Sequence, residues 1–280
     1  MIEALSSNLW RLAIKSSTLP PFDHTNSYLI ADKGVALLID APSPKPEALD
    51  LIREALAKAK VNFLKALVLS HTHPDHIEGV EAVQKAWDLP CYVHPLELER
   101  LQKRYALKSL MALQDTRKLQ VGDVSVESLH TPGHSPGHLS FYLPHDEIVL
   151  AGDLLSANSS TWVGVPEGDV SAFLASLDRL AALKLKQIAC GHGEVIGQPY
   201  ERLRAVREHR LAREAEVLGV LKEGQSALRG IRERVYGGLE HPQLIKLAEA
   251  SLLAHLYKLM QDLKVIHLGQ DQEGPYALRT

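Results

Sequence analysis

The chain has 280 residues, 45% hydrophobic and 23% charged, enough apolar content to bury a substantial core and too much for long disordered stretches. A formal net charge of -3 and a pI near 6.5 exclude a strong overall electrostatic footprint for nucleic acid or an anionic membrane, though a local basic patch stays open. Two cysteines, Cys91 and Cys190, far apart and without CxxC spacing, exclude a disulfide framework and read as buried free thiols. The first residues lack a basic segment followed by an apolar one, and no apolar run approaches the about 20 residues needed to span a bilayer. The expectation is a cytoplasmic protein with no membrane partner.

Short β-type runs come first, at 9–14, 27–30 and 36–39, separated by Pro, Gly, Asp or Asn. A helix follows over 47–59, with Leu49, Ile52 and Leu56 on one face. Residues 66–69, Ala-Leu-Val-Leu, read as a buried strand that ends at the run Ser70-His71-Thr72-His73-Pro74-Asp75-His76. The alternation continues with a helix over 77–86, a strand at 91–93, a helix over 96–105, strands at 124–129, 139–143 and 148–151, a helix over 170–182 and a strand at 187–190. After about residue 200 the texture becomes charged and helix-periodic, with helices expected over 200–221, 227–235 and 243–263, then a hairpin with arms at 265–268 and 276–278. Three helices and a hairpin suggest a small winged-helix-like domain over 200–280, appended to a larger one over 1–199.

The chemistry concentrates at strand ends. His134 follows the strand ending at 129, Asp153 the one ending at 151, and His192 the one ending at 190, so all converge with the His71–His76 run at one sheet edge. Imidazole and carboxylate together suit zinc and its borderline neighbours, and seven such residues can hold two divalent ions. His71 and His73, two apart in extended chain, project to one side and with His134 make one set; Asp75, His76 and His192 make the other, and Asp153 can bridge both. Zinc is the first expectation for the metal, with manganese or iron also suited. Two such ions would hold a bridging hydroxide, because metal binding lowers the pKa of water to roughly 7. Taken singly, a loop histidine is more often solvated, and Asp153 after a glycine could cap a helix or turn. Five histidines and two aspartates at strand ends, several beside glycine, are harder to attribute to composition.

The motif from His71 to His76, followed by Thr131-Pro132-Gly133-His134, Gly152-Asp153 and Gly191-His192-Gly193, resembles the metallo-β-lactamase superfamily. The segments at 26–30 and 37–40 look like that family's opening strands, and the resemblance runs from about 8 to 198. It implies an αββα sandwich, the same ligand division, and an outer role for Asp40 in supporting the histidine loop; a strand-end turn residue is the alternative for Asp40. Histidine at position 73, where the di-iron oxygen-reducing branch carries Glu, implies hydrolysis rather than redox chemistry. The short interval between Asp153 and His192 disfavours the RNA-processing branch with an inserted cap domain. Residues 200–268 are similar to the appended winged helix of the beta-lactamase-like protein 2 subgroup, in which His138 also has a counterpart. His138 is either an outer or substrate-facing group or a hydrogen-bonded strand histidine, and Trp162 either lines the substrate cleft or covers the core edge. The sequence departs from the subgroup at Pro74 and 77–79, which weakens transfer of substrate.

The first functional expectation is hydrolysis of an ester, thioester or related acyl bond, with Asp75 and Asp153 as catalytic carboxylates and a small acyl substrate as the partner. The second, implied by the subgroup, is cleavage of single-stranded RNA. Arg202, Arg204, Arg207, Arg210 and Arg213 make a candidate strand-binding patch, but interleaved Glu201, Glu208, Glu214 and Glu216 read as a solvated, ion-paired helix face. The third is a non-enzymatic metal-binding regulator whose winged helix recruits DNA or a partner. A homodimer stays open.

Overall fold

A computed structural model describes residues 1–279. Two β-sheets stack face to face. The first has seven strands in chain order: β1 (Ile2–Ala4), β2 (Leu9–Lys15), β3 (His24–Asp32), β4 (Val35–Ile39), β5 (Phe63–Val68), β6 (Cys91–Val93) and β7 (Leu110–Ala112). It is antiparallel through β4 and parallel from β4 onward, where α1 (Pro46–Lys58), α3 (Val80–Trp87) and α4 (Pro95–Arg104) supply the crossovers. The second sheet runs β12-β11-β10-β9-β8, from β8 (Lys118–Val121), β9 (Val124–His130), β10 (Leu139–Leu143), β11 (Ile148–Gly152) and β12 (Gln187–Cys190).

Strand periodicity builds three layers of core. On β3 and β4, Tyr28, Ile30, Leu37 and Ile39 turn inward to meet Val126, Phe141, Leu150 and Ala189 of the second sheet. The alternate residues Leu29, Ala31, Ala36 and Leu38 face outward under Ile52, Leu56, Val83 and Leu101 of α1, α3 and α4. Val149, Ala151, Ile188 and Cys190 face outward on the second sheet, beneath α5 (Val170–Ala181) and the start of α6 (Pro199–Lys222). Central strands are therefore apolar on both faces, as strands covered on both sides must be. Cys91 and Cys190 are both free and buried.

The expected helix at 77–86 begins differently. Pro74–Ile77 forms a one-turn α2, and α3 starts only after Gly79. A Cβ on Gly79 would stand 2.4 Å from the Ser43 carbonyl oxygen, so close backbone packing fixes both glycine and break. Strands β1, β7 and β8 were not expected; each is a sheet edge, short and half exposed, without the apolar alternation that marks the interior strands.

Helices α6, α7 (Leu228–Tyr236) and α8 (Pro242–Gln261) share a fourth core with the antiparallel pair β13 (Val265–His267) and β14 (Tyr276–Leu278). Helix α6 serves two cores: Leu203 and Val206 pack on the second sheet, Val217, Val220 and Leu221 on α7 and α8. Its charged face is the solvated, ion-paired surface expected from the alternating charges only in part: Glu201, Arg204, Glu208 and Glu216 are exposed, and Arg207 and Arg213 pair with Asp178 and Glu216. Arg210 and Glu214 are buried, Arg202 donates to the carbonyls of Ser156 and Ser159, and Arg210 donates to that of Thr161 and stacks over Phe173. No helix among the described residues is long and apolar enough to cross a membrane.

His255, on α8, is fully buried and both of its ring nitrogens lack a partner. Burial, reinforced by the positive charges of Arg210 and Arg213, pushes its pKa down to about 3. In the unfolded chain it titrates near 6.5, so its contribution to stability is complete above that value and is lost as pH falls toward 3. The change from pH 7.5 to pH 4.5 should therefore cost wild type about 2 kcal/mol more than it costs His255→Leu. Urea unfolding of both proteins at the two pH values checks this; an equal loss in both would show that His255 plays no part.

Candidate metal centre

The two sheets are stitched together at the end where the strands run out. Leu139 N–H donates across the sheets to the Ser70 carbonyl, while Asp40 N–H donates to Val68 within the first sheet and Gly191 N–H to Gly152 within the second, continuing the pairing at each strand end. Asn26 N–H donates to Gly191, and its side-chain amide to Cys190 and Gly193. These bonds bring the loops carrying His71–His76, His134, Asp153 and His192 to one place.

There the side chains fall into two groups, His71, His73, His134 and Asp153 in one, Asp75, His76 and His192 in the other, with candidate donor atoms of each group within 4.8 Å of one another. Asp153 faces both. Its Oδ2 lies 4.0 Å from His71 Nε2, 3.6 Å from His134 Nε2 and 3.4 Å from His192 Nε2, and its Oδ1 lies 3.2 Å from His76 Nε2. Asp75 Oδ2 is 3.2 Å from His192 Nε2, and His73 Nδ1 is 2.8 Å from His134 Nε2.

The donor set fits divalent ions. His71 Nε2, His76 Nε2 and Asp153 Oδ1 are buried without a hydrogen-bond partner, an arrangement that costs free energy unless something else satisfies them. Two donors bound about 2.1 Å from one tetrahedral ion stand about 3.4 Å apart, the middle of the range of nitrogen-to-carboxylate separations seen here. All seven expected residues are present in the cluster.

Each imidazole is oriented from behind. His76 Nδ1 is 2.8 Å from Asp40 Oδ2, His71 Nδ1 3.0 Å from Ser70 Oγ, His134 Nδ1 2.9 Å from the Trp162 carbonyl, His192 Nδ1 3.1 Å from the His24 carbonyl, and His73 Nε2 3.2 Å from Glu167 Oε2. Asp40, in the left-handed region at φ 62°, also accepts from the Ser70 N–H and hydroxyl, at 2.7 Å each, and so fixes the start of the histidine loop. His138 does not face the cleft. It is fully buried, accepts from the Asp153 N–H at 3.1 Å through Nε2, and lies 3.0 Å from Thr131 Oγ1 through Nδ1. Trp162 lines the cleft beside the cluster, and its indole N–H donates to the Leu247 carbonyl at 3.1 Å.

Charge follows from these contacts. Burial drives His71 and His138 well below the usual imidazole range and His134 to about 4, aided by the neighbouring imidazoles, so these rings are neutral. For His76 and His192 burial acts the same way but is outweighed: Asp153 and Asp40 raise His76 well above its ordinary value, and Asp153 and Asp75 bring His192 to about 10. Burial opposes ionisation of Asp153, yet His76 and His192 hold it well below the usual carboxylate range; Asp75, against the same penalty, is lowered by His192 and His76.

Sequence spacing did not mark several supporting residues. Buried Glu97, in the first turn of α4, accepts from the Thr72 hydroxyl and from the Gly137 N–H, and so ties the His71–His73 loop to the His134 loop. Ser70 and Thr131 sit beside motif residues, where adjacency was the only signal; Glu97 is 25 and 40 residues from its partners and had none.

Two substitutions test this geometry. Asp40→Ala should keep the fold and weaken divalent-ion binding about 10–100-fold, measured by chelator competition, because His76 loses its orienting carboxylate. Gly191→Ala places a Cβ 2.2 Å from Asp153 Oδ1 and should reduce the ions retained per chain in elemental analysis; full retention would separate Asp153 from the site.

The comparisons agree with this geometry. The family model described as the metallo-beta-lactamase superfamily matches residues 20–192. A beta-lactamase-like protein 2 homolog from Caenorhabditis elegans is 26% identical over 249 residues, 88% of this chain and 82% of its own. An atrochrysone carboxyl ACP thioesterase from Pseudocercospora fijiensis is 27% identical over 243 residues, 84% of this chain and 69% of its own. The crystal structure of a metallo-beta-lactamase family protein from Thermus thermophilus superposes with a TM-score of 0.78 at 25% identity, over 99% of this chain and all of that one. The chain belongs to the metallo-beta-lactamase superfamily of hydrolases.

Proposed function

We propose that this enzyme hydrolyses an acyl ester or thioester with an apolar acyl group, using two divalent ions. The observation that carries the reading is the lining of the cleft. About 540 Å³ in volume, it is walled by Leu19, Phe22, Leu155, Trp162 and Leu247 and by the hydroxyls of residues 156 and 159–161, with the two ligand groups at its floor and no Lys or Arg in its lining. An apolar acyl chain gains by burial there, whereas a polyanionic strand needs cations along its track. Four of the five candidate arginines of α6 are engaged within the fold: Arg202 and Arg210 hold carbonyls of the cleft wall, Arg207 pairs with Asp178, and Arg213 with the Val235 carbonyl and Glu216, which leaves Arg204 exposed. This argues against the RNA reading, and the relatives named as thioesterases support the acyl one.

When bound, the ions would supply a Lewis acid for the carbonyl and a water acidic enough to attack at neutral pH. His71, His73, His134 and Asp153 would hold one; Asp75, His76 and His192, with Asp153 shared, the other. Asp75 lines the cleft and is held ionised by His192, so its carboxylate can take the proton of the attacking water and return it to the departing thiol or alcohol. A new C–O bond replaces the acyl C–S or C–O bond, giving a carboxylate and the free thiol or alcohol. Trp162 and Phe22, which stacks on His192 at 5.4 Å, flank the acyl group. The region 200–280 is read as a winged-helix-like module whose α8 contributes Leu247 to the cleft wall.

The test is kcat/KM for an acyl thioester and for single-stranded RNA with the metal-loaded protein, alongside His73→Ala. Thioester turnover that the variant lacks, with RNA cleavage no faster than in the variant, is the expected result. The reverse pattern would replace the acyl reading with phosphodiester hydrolysis. Asp153→Ala should fold normally by circular dichroism and lose turnover, and retained turnover would remove the shared carboxylate from the reaction.

A further inference from the structure

Among the five imidazoles of the two groups, His73 and His76 alone are backed by a carboxylate. Asp40 backs His76 from the strand end beneath it. The group behind His73 comes from elsewhere: Glu167, on the loop between β11 and α5, places Oε2 3.2 Å from His73 Nε2. The same oxygen accepts from Arg100 Nη1, so a guanidinium from α4 fixes the carboxylate on its far side. His73 Nδ1 faces His134 and the first ligand group, which leaves Nε2 as the proton-bearing donor to Glu167. Ligating histidines are held in one tautomer and one ring orientation by such a partner, and their basicity is raised by it.

We infer that Glu167, anchored by Arg100, is the positioning carboxylate of His73 and sets the affinity of the first ion site without touching ion or substrate. The loop that carries it serves that site twice, since the Trp162 carbonyl five residues earlier receives His134 Nδ1 at 2.9 Å. The loop is seated on α8: the Trp162 indole donates to the Leu247 carbonyl, Val165 N–H donates to that of Ala250 at 3.1 Å, and a Cβ on Gly164 would stand 3.1 Å from the Ala250 backbone. Two of the three imidazoles in the first group therefore take their orientation from a segment that the C-terminal helices hold in place. The second group, oriented by Asp40 and His24, does not depend on it. Glu167 is 26% exposed and Arg100 43%, so neither is a core residue whose loss would unfold the chain.

This inference rests on the two-ion reading of the site. The experiment titrates cobalt(II) alone into metal-stripped wild type, Glu167→Ala, Glu167→Gln and Arg100→Ala, with visible absorption and chelator competition giving an affinity for each ion. Wild type should take two ions. Glu167→Ala should weaken one of them about 10–100-fold and leave the other within about threefold, with the absorption of the weakened ion altered. Glu167→Gln, whose amide oxygen still accepts from His73, should recover part of the loss, and Arg100→Ala should show a smaller loss at the same ion. Both ions binding Glu167→Ala as tightly as wild type would overturn the inference while leaving the two-ion reading intact; equal weakening of both would overturn it as a general loss of structure. Fewer than two ions in wild type would overturn both. Should Glu167→Ala fail to fold, Glu167→Gln and Arg100→Ala decide the matter, wild-type affinities in both counting against it.

Discussion

A carboxylate buried among imidazoles is useful only if both of its oxygens are aimed, and the backbone at the end of β11 does this for Asp153. Gly152 takes a φ of +49° where the β11–β12 register shifts, and a Cβ there would stand 2.6 Å from His138 Nε2. That nitrogen accepts the Asp153 N–H, so the strand is forced to turn at a ring that cannot move, being itself held by Thr131. Gly191 leaves the room that Asp153 Oδ1 occupies on the other side. The result is a carboxylate with one oxygen toward His76 and the other toward His71, His134 and His192. Asp153 is the group the two clusters share, and its negative charge offsets the positive charge that His76 and His192 carry.

The sandwich supplies this arrangement economically. A central strand apolar on both faces is rigid over its length and ends in a loop whose first residues are nearly as fixed as the strand. His71 follows β5, Asp153 follows β11, and His192 follows β12, so three ligand-type residues sit within a few positions of a buried ladder. The stitching bonds from Leu139 to Ser70 and from Gly191 to Gly152 then transmit strand positions to side-chain positions. Preorganisation of this kind is what a metal site demands, because a donor displaced by a fraction of an ångström weakens the ion it would hold.

The parts legible in the sequence are those encoded locally. Apolar runs at 66–69, 148–151 and 187–190 announce buried strands, and His71, Asp153 and His192 stand out because each follows one. Edge strands β1, β7 and β8 were silent, since an edge needs neither alternation nor length. Charge alternation on α6 was misleading for a different reason: periodicity reports the spacing of charges and not what lies opposite them. The carbonyls of Ser156, Ser159 and Thr161, some 43 to 49 residues away in sequence, turned Arg202 and Arg210 inward. Glu97 and Glu167 were invisible for the same reason. A carboxylate in a helix or loop has no local mark to distinguish solvent from a threonine hydroxyl or an imidazole, and only the assembled fold decides.

The placement of α8 bears on how such an enzyme changes its substrate. Leu247 contributes to the cleft wall, and the carbonyls of Leu247 and Ala250 hold the Trp162 indole and the Val165 N–H. All of these anchor points are main-chain atoms, insensitive to which side chain α8 carries at those positions. Substitution along this face of α8 can therefore reshape the cleft through Leu247 while the loop that orients His73 and His134 keeps its seat. The seat of the loop and the shape of the cleft are thus carried by different atoms of the same helix, the backbone for the first and the side chains for the second, which is a physical route by which one site can be refitted to different substrates.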